Sequence, residues 1–384
     1  MVFIIFVRLN GVLTMNIQEL RNMFPALSRT VYGKPLVYFD NAATAQRPQS
    51  VIDKWTELTV GANANIHRAV HKLAVDATDE YESTRDAVKE YLNAASREEI
   101  VFTSGTTESI NLVAFSFGET FVNEGDEIIV SEAEHHSDIV PWQMLCQRKG
   151  AVLRVLHVDE DGHLNLEELK SLLNPKTRIV AVTQISNVLG ILNPVKEIVS
   201  ICHSDGCPVL IDGAQGMVHE GVDVQDVDCD FYVFSGHKLY AATGTGVLYG
   251  KRKWLDQMVP YQGGGEMIAT VRFSGTTYAP LPEKFEAGTQ NINAIPTLKP
   301  AIEMLKLMKD KELLNAQEAV SQYLLYALTS NPRIRLYGVP RGTETKIPLF
   351  SFSVEGAHHE DLALILDKMG IAVRSGQMCA EPLM

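Results

Sequence analysis

Three short segments of this chain carry residue types that could act together on one ligand. Ser235-Gly236-His237-Lys238 follows the apolar run Phe231–Phe234. A lysine placed directly after a buried strand is costly to keep charged, so its pKa falls and it becomes a candidate Schiff-base nucleophile. Taken alone, such a lysine more often snorkels to solvent. Asp212-Gly213-Ala214-Gln215 follows Val209-Leu210-Ile211. A carboxylate at the end of a buried strand needs a partner, either as a cap or as the holder of a protonated ring nitrogen. Ser104-Gly105-Thr106-Thr107-Glu108 lies between a strand-like run and a helix-period segment. Its glycine admits a ligand close to the backbone, and its threonines add hydroxyls to the free N–H groups of a helix start, which makes a phosphate cradle. The same residue types are also ordinary helix N-caps.

The three segments together suit pyridoxal 5'-phosphate (PLP): one part for the phosphate, one for the pyridinium nitrogen and one for the aldehyde. Two more segments fall at strand ends. In Glu134-His135-His136 an imidazole could stack on a flat ring and move protons. In Ser186-Asn187 the amide could donate to a ring oxygen. Each of these alone is more often a satisfied loop residue. The five cysteines, Cys146, Cys202, Cys207, Cys229 and Cys379, are odd in number and sparse. They argue against a disulfide framework and for a reducing, cytoplasmic setting. No second pair or histidine cluster completes a metal site with Cys202 and Cys207, so the first four read as structural thiols.

Positioning these groups requires a sheet. From about residue 77 to 250, apolar runs alternate with helix-period segments. The runs are Ile100–Phe102, Ile128–Val130, Val152–Val158, Ile179–Val182, Val209–Ile211, Phe231–Phe234 and Val247–Tyr249. Between them Tyr81, Thr84, Val88 and Tyr91 share one helical face. Short, wholly apolar strands between helices predict an α/β fold with a mostly parallel sheet covered on both faces. In such sheets ligands sit at the carboxyl ends of the strands. After Asn293 the texture changes to helix-rich segments, a half-buried strand over Leu349–Val354, an amphipathic helix carrying Leu362, Ile365, Leu366 and Met369, and a short strand at Ile371–Val373. This predicts a smaller α+β domain. The expected division is a large cofactor-binding domain over 30–295 and a small one made of 15–29 and 296–384. Residues 1–14 read as a non-essential extension, because the apolar run Val2–Val7 is too short to span a bilayer and lacks the features of a signal peptide. The net charge of −13 excludes general affinity for nucleic acid or for an anionic membrane.

On Ser235–Lys238, Asp212–Gln215, Glu134–His136 and Gln184-Ile185-Ser186-Asn187-Val188-Leu189-Gly190, the chain resembles the class V aminotransferase-fold cysteine desulfurases. Arg374-Ser375-Gly376-Gln377-Met378-Cys379-Ala380 resembles the active-site cysteine segment of the group that serves the SUF sulfur-mobilising system. The likeness runs from about residue 15 to the last residue. It implies the PLP-dependent transferase fold type I and conversion of L-cysteine to L-alanine with a persulfide on Cys379. Lys238, Cys379 and His135 would be the catalytic residues, with Lys238 holding PLP. Asp212 would pair with the pyridine nitrogen and His135 stack on the ring, with Asn187 and Gln215 near its oxygen. Thr106, Thr107, Ser235 and His237 would hold the phosphate. Thr289 would reach the phosphate of a neighbouring subunit, which implies a homodimer. His67, Asn187 and Arg374 would line the substrate pocket. The persulfide would pass to a sulfur-acceptor protein of the SUF system, for iron–sulfur cluster assembly. Two departures stand out. Gln377 and Met378 occupy positions where histidines are frequent, and the family continues past the equivalent of Met384. The second carries the expectation of a small domain missing its C-terminal end, with PLP bound but weak turnover. The alternatives are a selenocysteine lyase or cysteine sulfinate desulfinase on the same fold, and an inactive PLP-fold scaffold or sulfur-transfer partner.

Overall fold

The alternation between residues 77 and 250 builds one seven-stranded sheet. The structure is a computed structural model and describes residues 17–309, 311–338 and 346–384. The segment read as an extension, residues 1–14, lies outside the described residues. The sheet strands are β1 (Ile100–Thr103), β2 (Glu127–Ser131), β3 (Val152–Leu156), β4 (Thr177–Thr183), β5 (Val209–Asp212), β6 (Phe231–Ser235) and β7 (Gly246–Gly250). Their spatial order is β1-β7-β6-β5-β4-β2-β3. The run from β6 to β3 pairs parallel throughout, and β7 lies antiparallel between β1 and β6. The mostly parallel sheet read from the sequence is therefore present.

Side chains alternate across this sheet, and each face has its own core. Ile100, Phe102, Ile129, Val180, Val182, Val209, Ile211, Tyr232 and Phe234 face one side. There they meet Tyr81, Val88 and Leu92 of α1 (Lys72–Leu92). Val101, Ile128, Val130, Ile179, Leu210, Phe231 and Val233 face the other. There they meet Ile110, Val113 and Phe117 of α2 (Thr106–Phe121) and Trp142 and Leu145 of α3 (Val140–Lys149). Each fully buried Val, Leu, Ile or Phe contributes about 1.5–3 kcal/mol, so two complete faces hold the strand ends rigidly. The edge strand β3 departs from the expectation of full cover. Val152 and Val155 are exposed, whereas the other edge strand, β1, is buried along its whole length.

Beyond the sheet, α4 (Val195–Ser204) and α5 (Leu298–Met308) cover the same face as α1, and α5 buries Leu298, Ala301, Ile302 and Leu305 there. The core of the sheet thus reaches past residue 295, where a boundary was expected. The long α6 (Lys311–Thr329) follows. Ile334–Tyr337 and Ser351–Val354 then pair antiparallel, and α7 (His359–Lys368) forms as read from its spacing. Its stripe is not buried, however: Ile365 and Met369 are exposed, and Leu362 and Leu366 are half-buried. Ile371–Ala372 pairs parallel with Val37–Tyr38, which ties the C-terminal segment to the N-terminal one.

Candidate active site

The carboxyl ends of β1, β2, β4, β5 and β6 open on one side of the sheet, and the candidate residues follow them. β6 ends at Ser235, and the chain turns at once through Gly236–Lys238. Glycine is required there: a Cβ on Gly236 would lie 2.1 Å from Thr245 Oγ1. The Gly236 N–H donates to Thr245 O at 2.8 Å, which fixes the turn. Burial pushes the Lys238 ammonium below its usual pKa, and Arg374 adds to this. The negative charges of Asp212 and Cys379 act the other way. Asp212 ends β5, is buried, and accepts the Ala214 N–H at 2.8 Å. Burial raises its pKa, opposed by Lys238. A lysine whose charge is disfavoured by burial thus lies in the field of a buried carboxyl at the end of β5, the strand paired with β6.

At the β1 end, α2 begins on Gly105, which has no side chain to cap it. Thr106 and Thr107 lie in the first turn itself, so the N-cap reading of these threonines does not hold. Ser235 Oγ accepts the Thr106 N–H at 2.8 Å and shares a second bond of 2.8 Å with Thr106 Oγ1. Thr107 is exposed beside them. A Cβ on Gly246 would lie 2.3 Å from Gly105 Cα, so β7 passes close under this loop. His237 Nδ1 lies 3.2 Å from Thr44 Oγ1. Burial, with the charges of Lys238 and Arg47, pushes its ring down to about 4. A positive helix end without a side-chain cap, two hydroxyls, a buried carboxyl and a buried amine fit the phosphate, the ring nitrogen and the aldehyde of PLP.

His135 caps the short 3-10 turn His136–Asp138 that follows β2. Its Nδ1 accepts the Ser137 N–H at 3.1 Å and lies 2.8 Å from Ser137 Oγ. A ring nitrogen that accepts a backbone N–H carries no proton, so the neutral ring has its proton on Nε2. Burial, aided by Lys238 and His136, lowers the His135 pKa to about 4.

The segment with Cys379 rests on this turn. The His136 N–H donates to Cys379 O at 2.7 Å, and His136 Nε2 accepts the Glu381 N–H at 3.0 Å. The Asn187 amide donates to Met378 O at 2.8 Å. Ala380 is buried with Val188, Leu189 and Ile191. Met378 and Cys379 both adopt left-handed backbone, with φ of 51° and 56°, which costs non-glycine residues roughly 1–3 kcal/mol each. These anchors hold that conformation, and it leaves Cys379 exposed while the other four cysteines are buried. Among the described residues no group of three or more His, Cys, Asp or Glu side chains could hold a metal ion.

Several expected residues have other partners. Asn187 is engaged with Met378, and Gln215 donates to Ala42 O at 2.7 Å. Arg374 grips both oxygens of Asp40, at 2.9 and 3.1 Å. His67 lies 3.2 Å from Glu82, and that bond raises its pKa. Thr289 is exposed. Its segment is anchored by Glu286, which takes two bonds from Arg85, at 2.7 and 2.9 Å, and the Phe102 N–H at 2.7 Å. Sequence reasoning missed His136 and the segment Asp40–Arg47. The neighbouring histidine pair was the one available sign of the first. The second carries no local motif and reaches the site only through tertiary contacts.

The family description "Aminotransferase class-V" matches residues 37–384. The chain is 48% identical over 369 residues to a cysteine desulfurase of Enterobacter sp. (strain 638), covering 96% of this chain and 90% of that protein. It is 47% identical over 373 residues to a cysteine desulfurase of Escherichia coli O8 (strain IAI1), covering 97% and 91%. Among solved structures it resembles the cysteine desulfurase CsdA of Escherichia coli in its S-sulfonic acid form, with a TM-score of 0.86, 39% identity, and cover of 96% of this chain and 90% of that one. The apo cysteine desulfurase of Thermococcus onnurineus NA1 gives a TM-score of 0.86 at 35% identity, covering 94% and 89%.

Proposed function

The chain belongs to the aminotransferase class-V family, and from that premise we infer that it is a PLP-dependent cysteine desulfurase, which converts L-cysteine to L-alanine and leaves a persulfide on Cys379. The observation that carries this reading is the pairing of two unlike nucleophiles in one field. Lys238 is buried beside Asp212, and the exposed Cys379 lies close enough to act on Lys238 electrostatically.

When bound, PLP supplies the electron sink that makes the substrate α-carbon acidic. Lys238, held towards its neutral form by burial, serves as the base that takes and returns the proton at that carbon. Asp212 holds the proton of the ring nitrogen. His135, with its proton on Nε2, would stack on the ring. Thr106, Thr107, Ser235 and His237 would hold the phosphate, and Asn187 and Gln215 would orient the ring edge with the amide N–H groups left over from their bonds to Met378 O and Ala42 O. His67 and Arg374 belong to the substrate side. Arg374 reaches a carboxylate by exchanging it for Asp40, its present partner. The Cys379 thiolate attacks the substrate sulfur. An S–S bond forms, the Cβ–S bond breaks, and its electron pair stays on the carbon skeleton, which gains protons to become alanine.

The exposure of Cys379 suits delivery of the sulfur to an acceptor protein, which we take to be of the SUF type on the Arg374–Ala380 segment. A homodimer, in which Thr289 serves the neighbour's phosphate, and a cytoplasmic setting complete the reading. No helix among the described residues is long and apolar enough to cross a membrane.

The test is alanine formation from L-cysteine with a thiol reductant, for the wild type, Cys379→Ala and Lys238→Ala. Alanine from the wild type alone is expected. Alanine that survives Cys379→Ala would point instead to a lyase that does not need the thiol, such as a selenocysteine lyase. Protein that holds PLP yet gives no alanine would remove cysteine as the substrate.

A further inference from the structure

Directly behind the site lie two carboxyl groups that the proposed reaction does not use. Glu134 directly precedes His135, the cap of the 3-10 turn after β2, and Asp138 ends that turn; both are 0% exposed. Each has one satisfied oxygen. Glu134 Oε1 accepts the Ser131 hydroxyl and, at 2.9 Å, the Thr183 N–H of β4. Asp138 Oδ1 accepts the Trp142 indole N–H of α3 at 2.8 Å. Their other oxygens, Glu134 Oε2 and Asp138 Oδ2, have no partner among the described residues. Each carboxyl acts on the other as a charged and hydrogen-bonding neighbour. Two ionised carboxylates cannot share such a place, since each is desolvated and repels the other. A single proton between Oε2 and Oδ2 satisfies both bare atoms at once.

We propose that Glu134 and Asp138 share one proton and act as a positioning pair that locks the turn carrying His135 and holds the fixed charge behind Asp212 to that of one carboxylate. The pair bridges the base of that turn, whose other closing bond runs from the Asp138 N–H to His135 O at 2.8 Å. The further charge facing both groups is Asp212 on β5; the donors from β2, β4 and α3 are neutral. Burial, then their mutual charge and that of Asp212, pushes the Asp138 carboxyl up. Burial is likewise the main cause at Glu134. The sign for stability follows. The folded pair keeps a proton that the unfolded chain releases above the ordinary carboxyl range, so its contribution declines as pH rises from there towards the raised folded value. Asp138→Asn replaces the shared proton with an amide N–H donated to Glu134.

The test uses the holoenzyme without turnover, so its result is independent of whether cysteine is the substrate. Infrared difference spectra at neutral pH, wild type minus Asp138→Asn and wild type minus Glu134→Gln, should each show the C=O stretch of one protonated carboxyl lost. The same band should fade when the wild type alone is brought to alkaline pH, a readout that needs no variant to fold. The midpoint of thermal unfolding should fall for the wild type between about pH 6 and about pH 9, and stay flatter for Asp138→Asn. PLP titrated into the apo-protein should bind several-fold more weakly to Asp138→Ala, with affinity restored in Asp138→Asn. Difference spectra without a lost carboxyl band, or Asp138→Asn behaving as Asp138→Ala does, would overturn the shared proton.

Discussion

Lys238 and Cys379, the two residues that do covalent chemistry in the proposed reaction, are held in opposite ways. Lys238 follows a strand in which every residue is buried, and its turn is fixed by a glycine whose replacement by any larger residue would crowd Thr245. Cys379 sits on an exposed loop with two consecutive left-handed residues, held by His136, Asn187 and the buried Ala380. The difference matches the tasks. An amine whose pKa must fall needs a low dielectric and a rigid frame. A thiol that passes sulfur to a second protein needs access, and pays for it with strain at the tip of a lightly anchored loop.

The strongest way to test the rigid half is to break its buried ion pair. Arg85 and Glu286 have side chains 0% and 2% exposed. Glu286→Ala leaves the guanidinium buried with Glu82 as its one remaining carboxylate, and should lower unfolding free energy by roughly 3–5 kcal/mol in a urea titration. The exposed half should show the reverse pattern. Cys379→Ser should leave stability within about 0.5 kcal/mol, while alanine formation falls on the order of 100-fold or more. Gly236→Ala sharpens the comparison from the lysine side. Its new methyl meets Thr245 Oγ1 and should destabilise by about 1–3 kcal/mol, with a visible change in the bound cofactor's absorbance. The smallest effect is expected at the loop anchor. His136→Ala removes the acceptor of the Glu381 N–H and should cost about 1 kcal/mol or less globally. It should speed alkylation of Cys379 a few-fold and leave the cofactor spectrum unchanged.

Much of the site was legible because its residues follow buried strands. Apolar runs bounded by polar turns locate strand ends, and ligand-binding residues gather there in parallel sheets. Lys238, Asp212, His135 and the Thr106 turn were singled out in this way, and the structure has each of them at or just after a strand end. Local pattern was silent where a partner comes from far along the chain. Nothing around Asp40 marks it as the partner of Arg374, 334 residues away. The helix spacing of Leu362, Ile365, Leu366 and Met369 was correct, but spacing does not say what a face packs against, and here Ile365 and Met369 remain exposed. A change of texture along the chain likewise says nothing of contacts across it: Leu298 and Leu305 of α5 pack into the sheet core.

The sequence alone determined the sheet, the residues at its carboxyl ends and the lysine–carboxylate pair, because hydrophobic period and strand length are local properties of the chain. The tertiary structure decided which polar groups meet: the His136 and Asn187 anchors under Cys379, the Arg374–Asp40 clamp, and the Glu134–Asp138 pair. Those meetings depend on which buried donors and acceptors remain unsatisfied once the sheet has closed, and that is known only when every strand has found its neighbour.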